Sequence, residues 1–176
     1  GRWFLGLTQP VFTRVPRTDL AALIERWPVQ GPQTWEQRKW RRIELSRPFS
    51  TAEETRRFVR FWAQEGATSF KIYQNVSHEV LAAALAEAHR VGAKVTGHLC
   101  SITMREAALM GIDNLEHGIA EASDFVADKQ PDVCPDRAVM QDSIIAADPD
   151  GPAMRELIRT LIERKVAITS TLAVIA

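Results

Sequence analysis

Cysteine is scarce in this chain of 176 residues: only Cys100 and Cys134 occur. Two are too few for a disulfide scaffold, although they leave one bridge open. Neither sign of charge is in excess. Lys plus Arg number 22, Asp plus Glu number 22, and the formal net charge is zero. A chain without a basic surplus carries no electrostatic footprint for DNA or RNA, and nothing favours a membrane surface. The apolar runs fall far short of the ~20 residues a membrane helix needs. Neither G-x-G-x-x-G nor G-x-x-x-x-G-K-[ST] is found, which removes the two glycine-rich phosphate cradles. What is present suits a globular domain: 45% hydrophobic and 25% charged residues exclude disordered and fibrous classes. A chain of this length hides roughly 70% of the surface its unfolded form exposes.

The chain has two characters. Residues 1–49 read as an irregular lead-in punctuated by Pro10, Pro16, Pro28, Pro32 and Pro48, and they hold four of the five tryptophans. A strand is expected at Trp3 to Leu7 and a short helix at Asp19 to Trp27. Arg38 to Arg42 is a basic run around Trp40, read as a solvated face rather than a nucleic-acid contact. From Ser50 the pattern becomes regular. Ser50 with Glu53 has capping-box spacing, and a helix is predicted to about Glu65 with Phe58, Phe61 and Trp62 on its apolar stripe. Thr68–Tyr73 reads as a strand, His78–Val91 as a helix, Lys94–His98 as a strand, Thr103–Met110 as a helix and Ile112–His117 as a strand. Residues 118–151 form a connection too long for an ordinary loop, with a helix expected around Asp136 to Ala147. A helix to Arg164 and a strand from Val166 to Leu172 follow. Strict alternation predicts parallel strands joined by right-handed crossovers, and so an α/β fold. The spacing fits a (β/α)8 barrel segment, at ~30 residues per unit, but periodicity alone leaves an open sheet standing beside it.

Lys71 interrupts an apolar strand, while His98 and His117 fall at the C-terminal ends of the next two. In a parallel α/β barrel those ends meet on the active-site face. Histidine binds metals through a neutral ring nitrogen. A desolvated lysine favours its neutral amine, which adds CO2 to give a carbamate with two anionic oxygens. Tyr73, two residues beyond Lys71, faces the same side. Taken singly, His98 reads better as a core histidine and Lys71 as a solvent-facing one. His78 and His89 read as helix-surface residues.

The strings TSFKIY, VTGHL, GIDNLEHGI and VAITSTLAV resemble the amidohydrolase superfamily of metal-dependent hydrolases, most closely its imidazolonepropionase-like and dipeptidase-like members. The resemblance covers about residues 50–120 and 152–175. It implies a partial (β/α)8 TIM-like barrel over 1–176: about strands 3 or 4 to 7, without strands 1, 2 and 8. Residues 50–117 would be its core units, 118–151 a long loop or lid, and 152–176 a helix and strand 7. It also implies that Lys71 is the carboxylated lysine bridging metals, that His98 and His117 are metal ligands, and that one or two divalent ions, zinc in the first instance, bind there with CO2 held as the lysine carbamate. The activity implied is hydrolysis of an amide, cyclic amide or dipeptide C–N bond by metal-activated hydroxide. The partner is a small-molecule or peptide substrate, and oligomers are allowed. Tyr73 either hydrogen-bonds the substrate or packs.

The departures are equally specific. The family's His-x-His occurs nowhere in the chain, and nothing follows the strand 7 match to supply its strand 8 aspartate. The expectation is an internal piece of a longer enzyme, inactive alone and with open sheet edges that favour association. The competing expectation is a catalytically dead barrel remnant acting as a binding or structural module. A mononuclear deaminase-like relative is disfavoured, because those relatives do not use the lysine. Cys100 reads as a small buried hydrophobe rather than a ligand, and Cys134 as a pairing or metal-binding residue. Asp113 and Glu116 read as surface carboxylates or as acceptors orienting an imidazole.

Overall fold

The computed structural model describes residues 51–170 and, before them, two strands at 3–6 and 12–15. The helix expected at Asp19 to Trp27, the basic run Arg38 to Arg42, the Ser50 cap and the end of the last strand lie outside the described residues. The order is β1 (Trp3–Gly6), β2 (Phe12–Val15), α1 (Ala52–Gln64), β3 (Ser69–Gln74), α2 (His78–Arg90), β4 (Lys94–Leu99), α3 (Met104–Met110), β5 (Asn114–Glu116), a 3-10 helix (Gly118–Glu121), α4 (Arg137–Ala146), α5 (Pro152–Glu163) and β6 (Ala167–Thr169). Among the described residues no helix is long and apolar enough to cross a membrane.

Local chemistry sets the boundaries. Thr51, in extended conformation, caps α1 by accepting from the Glu54 amide at 3.3 Å, one residue later than the Ser50–Glu53 expectation. Thr103 and Glu106 form a full capping box on α3, and Gly111 ends that helix at φ 97°, a backbone conformation strained for any residue with a side chain. The hairpin strand β2 was not legible in the sequence. Its four residues, FTRV, are too few to show alternation between Pro10 and Pro16.

The sheet runs in sequence order, β1 to β6. Strands β3, β4, β5 and β6 are mutually parallel, which makes the fold α/β; the β1–β2 hairpin joins antiparallel at the β3 edge, with Phe12 opposite Lys71. Neighbouring parallel strands in sequence order, linked by right-handed crossovers, place their helices on one side. The core agrees. Phe70, Ile72, Val95, Leu99 and Leu115 belong to one buried cluster with Phe58 and Trp62 of α1, Leu81 and Leu85 of α2, Ala107 of α3, and Leu157 and Leu161 of α5. Gly97 lies on this helix-facing side, opposite Ile72 and Leu115. A Cβ there would stand 2.8 Å from Ile112 Cδ1 and 3.0 Å from Leu99 Cγ. Gly97→Ala is therefore expected to overpack the core and cost about 1–3 kcal/mol, read as a lower urea midpoint; an unchanged midpoint would show that Ile112 yields freely.

Asp113 ties the strand starts together and is no surface bystander. It accepts from Lys94 Nζ at 2.6 Å, from His89 Nε2 at 2.8 Å and from the Val95 amide at 2.9 Å. Burial opposes its ionisation, but the bonds from Lys94, His89 and Val95 outweigh that and hold its pKa below the ordinary carboxylate value. A depressed folded-state pKa means that this stabilisation is complete above the unfolded value, ~3.9, and is lost as pH falls through the lower folded value. Asp113→Asn is expected to cost about 1–2 kcal/mol at pH 7 and to flatten the acid end of the stability–pH curve. Parallel acid limbs for variant and wild type would contradict this.

Candidate functional site

The second face of the parallel sheet is chemically opposite to the first. Parallel sheets normally bury apolar side chains on both faces. Here Lys71 and Tyr73 of β3 pair with Thr96 and His98 of β4, Thr96 pairs with Asn114 of β5, and Glu116 pairs with Thr169 of β6. Alternation along each strand brings these residues to the face away from the Phe70–Leu115 core. Polar and ionisable side chains thus converge toward the strands' C-terminal ends, where Lys71, Tyr73 and His98 are expected to meet.

A directed chain of hydrogen bonds crosses four strands and ends on one carboxylate. Thr169 Oγ1 donates to Asn114 Oδ1 at 2.8 Å, and Asn114 Nδ2 donates to Thr96 Oγ1 at 2.7 Å. Thr96 Oγ1 donates to Glu116 Oε1 at 3.0 Å, while the Lys71 ammonium pairs with Glu116 Oε2. Glu116 is therefore the hub of this face. Its position two residues after Asn114 was the available signal, since both share one side of β5.

His117 reaches the site by a route the sequence does not display. Strand alternation would put it with Leu115, on the core side. Strand β5 instead stops at Glu116, one residue short of the expected end, and His117 takes a left-handed conformation at φ 68°. That turn brings its ring to the ring of His98, with centroids 4.3 Å apart and planes at 68°. A non-glycine residue in this region costs about 1 kcal/mol or more, and such outliers cluster at functional sites. His117→Gly is expected to raise unfolding stability by about 1 kcal/mol while removing the imidazole; a loss of stability would show that the ring's contacts outweigh the backbone strain.

His98 is held between Tyr73, edge-on with centroids 4.7 Å apart, and Gln74, whose Nε2 lies 3.4 Å from His98 Nε2. Burial pushes the His98 pKa down, as do the positive charges of His117 and Lys71, against the opposing pull of Glu121. These influences favour the neutral ring, the form that coordinates a metal. Glu121 Oε2 lies 3.6 Å from His98 Nε2, and Glu116 Oε2 lies 3.8 Å from His117 Nε2. Among the described residues no group of three or more His, Cys, Asp or Glu side chains stands closed around a metal position. The donor types nevertheless fit a divalent cation. Two adjacent imidazoles, both half-buried, lie beside two carboxylates, with a lysine amine on the neighbouring strand.

Residues 118–151 do not hang free of the strand ends. Asp124 accepts from the Met104 and Arg105 amides at 2.8 and 3.0 Å, capping α3 across the connection. Asp132 accepts from the His78 amide at 2.8 Å and contacts its Nδ1 at 2.6 Å. A disulfide joins Cys134 to Cys100, two residues past His98, so both cysteines are structural. His78 and His89 serve carboxylates on the helix side, Asp132 and Asp113 respectively. A cavity of about 550 Å3 lies between residues 124–127, α4 and the start of α5; Lys71, Tyr73, His98 and His117 do not line it.

No protein-family model matches the chain, and no curated protein matches it either. The functional reading rests on this geometry and on the sequence strings.

Proposed function

We propose that the polar face is part of the interior of a (β/α)8 barrel of the amidohydrolase type, and that it serves metal-dependent hydrolysis of amide, cyclic amide or dipeptide C–N bonds. The observation that carries the reading is the pairing of His98 and His117, rings 4.3 Å apart, on the strand-end face that also bears Lys71. One-sided helices and sequential parallel strands support the barrel, because an open doubly wound sheet would need apolar side chains where Lys71, Thr96, Asn114 and Glu116 stand.

His98 and His117 would hold a divalent cation, zinc in the first instance, through their ring nitrogens. A bound cation of this kind lowers the pKa of a coordinated water and polarises a substrate carbonyl. Lys71 would hold CO2 as a carbamate, whose two oxygens would add anionic donors on this face. Glu116, anchored by Thr96, keeps Lys71 on this face. Tyr73 stands at the strand end, about one-third exposed, and donates its hydroxyl to the substrate oxygen. The family's His-x-His and aspartate have no counterpart among the 176 residues. A second reading is a barrel remnant that acts as a binding or structural module without turnover.

The two readings part on one experiment. Protein stripped of metal by a chelator is supplied with zinc and 13C-labelled bicarbonate and challenged with a panel of cyclic amides and dipeptides. The enzyme reading expects hydrolysis that needs both additions, with a carbamate carbon signal that Lys71→Ala lacks. Metal uptake without turnover or carbamate signal, or no uptake at all, rejects the enzyme and selects the remnant.

A further inference from the structure

We infer that the Cys100–Cys134 disulfide is a thiol-sensitive latch on the polar face: its reduction by a dithiol loosens the connection around Cys134 and resets the contact between Gln74 and His98. The bridge thus does more than brace the connection. The latch needs no bound metal, and it holds for an enzyme and for a remnant alike.

The two sulfurs stand in unlike surroundings. Cys100 is buried just past the end of β4, two residues beyond His98. Cys134 is half-buried, and Pro131, Asp132 and Val133 before it are exposed. A dithiol therefore reaches Cys134 first. One of its thiolates attacks Cys134 Sγ and forms a mixed disulfide, while Cys100 Sγ leaves with the bonding pair and takes up a proton. The second thiol of the reductant then displaces Cys134 and closes the reductant's own disulfide, so that two electrons and two protons pass to the chain. The neighbouring ties do not run through sulfur. Asp124 caps α3, Asp132 holds the His78 amide, and Lys129 Nζ donates to Ser101 O at 2.5 Å. Release is thereby confined to the stretch around Cys134.

Gln74, the last residue of β3, links the buried sulfur to the site. Its carbonyl oxygen accepts from the Cys100 amide at 3.0 Å and from the Ser101 amide at 3.4 Å, with Ser101 Oγ at 3.2 Å. Its side-chain Nε2 lies 3.4 Å from His98 Nε2. Cys100 Sγ stands 3.5 Å from the same carbonyl oxygen, but in the disulfide it carries no hydrogen to donate. Reduction places a hydrogen on that sulfur, with Gln74 O in reach as its acceptor. A carbonyl oxygen has two lone pairs, so a further donor displaces one already there. The Ser101 hydroxyl has an alternative acceptor in Val76 O, at 2.7 Å. The two states of Cys100 therefore select two hydrogen-bond arrangements at Gln74, the residue that touches His98.

The test follows the imidazole and side-chain amide signals of the isotope-labelled full chain by NMR, at one fixed pH, before and after dithiothreitol. Wild type is expected to gain two titratable thiols per chain without denaturant, since Cys100 and Cys134 are its only cysteines. Its His98 ring and Gln74 amide signals are expected to move, while His89, bound to Asp113 on the helix side, keeps its position. C134S leaves the Cys100 thiol in place; it is expected to show the reduced pattern from the start and no response to dithiothreitol. If C134S does not fold, reduced wild type decides the matter alone. His98 signals that stay put with both thiols titrated overturn the latch, as does C134S showing the oxidised pattern. A bridge that yields only in denaturant overturns it too. So does His89 moving together with His98, the mark of general loosening. None of these outcomes bears on whether the face binds zinc.

Discussion

Replacing His98 and His117 together by alanine is expected to strip the protein of stoichiometric zinc. The two rings are the only imidazoles that meet on the polar sheet face among the described residues. Disturbing an outer partner of a metal site already costs about 10–100-fold in affinity, and removal of two direct ligands costs more for each. The fold should survive. His98 lies on the face opposite the apolar core, and His117 lies beyond the end of β5, so neither deletion opens a cavity among Phe70, Ile72, Val95 and Leu115. The matched control is His78→Ala with His89→Ala. These imidazoles partner Asp132 and Asp113 on the helix side, and their loss should leave zinc content unchanged. Elemental analysis after dialysis against trace zinc distinguishes the cases. Equal zinc in wild type and the His98–His117 double variant would remove the site from this face altogether.

Reduction of the Cys100–Cys134 disulfide is expected to produce the largest stability change. The bridge joins residues 34 apart in sequence. Closing a loop of that length restricts the unfolded chain by about 3–4 kcal/mol, on the chain-entropy account. For a domain of this size that corresponds to a melting point lower by roughly 10 °C. The structural consequence should be local. Asp124 would still cap α3, and Asp132 would still bond the His78 amide, but the stretch around Cys134 would lose its covalent tie to the end of β4. Faster amide exchange at residues 129–136 than at 122–126 is the expected pattern under reductant. Superimposable melting curves for oxidised protein, reduced protein and Cys134→Ser would contradict a stabilising role.

Much of the architecture was legible because it depends on local rules. The alternation of capped helices with short apolar strands, closed by residues such as Gly111, predicts parallel strands in sequential order, and β3 to β6 follow that order. What escaped the sequence depends on tertiary placement. β2 gains its strand state from pairing with β1 and β3, which no four-residue window reveals. Asp113 and Glu116 look alike in the string IDNLEH. One faces Lys94 and His89 at the strand starts, and the other receives Thr96 and Lys71 on the polar face. The cysteine pair was open in the sequence because sequence separation does not show which thiols approach. His117 stands at a strand end in the sequence, yet it meets His98 only because its backbone leaves the strand conformation. Glu121 had no signal at all, since a turn residue acquires its neighbour only when the turn folds.

Anomalous diffraction from zinc-soaked crystals of the full chain, collected at the zinc absorption edge, tests the central claim most directly. The account predicts a peak about 2.0–2.1 Å from a ring nitrogen of both His98 and His117, on the face that carries Lys71 and Glu116. A peak confined to His78, His89 or the helix side, or no peak at saturating zinc, would contradict it.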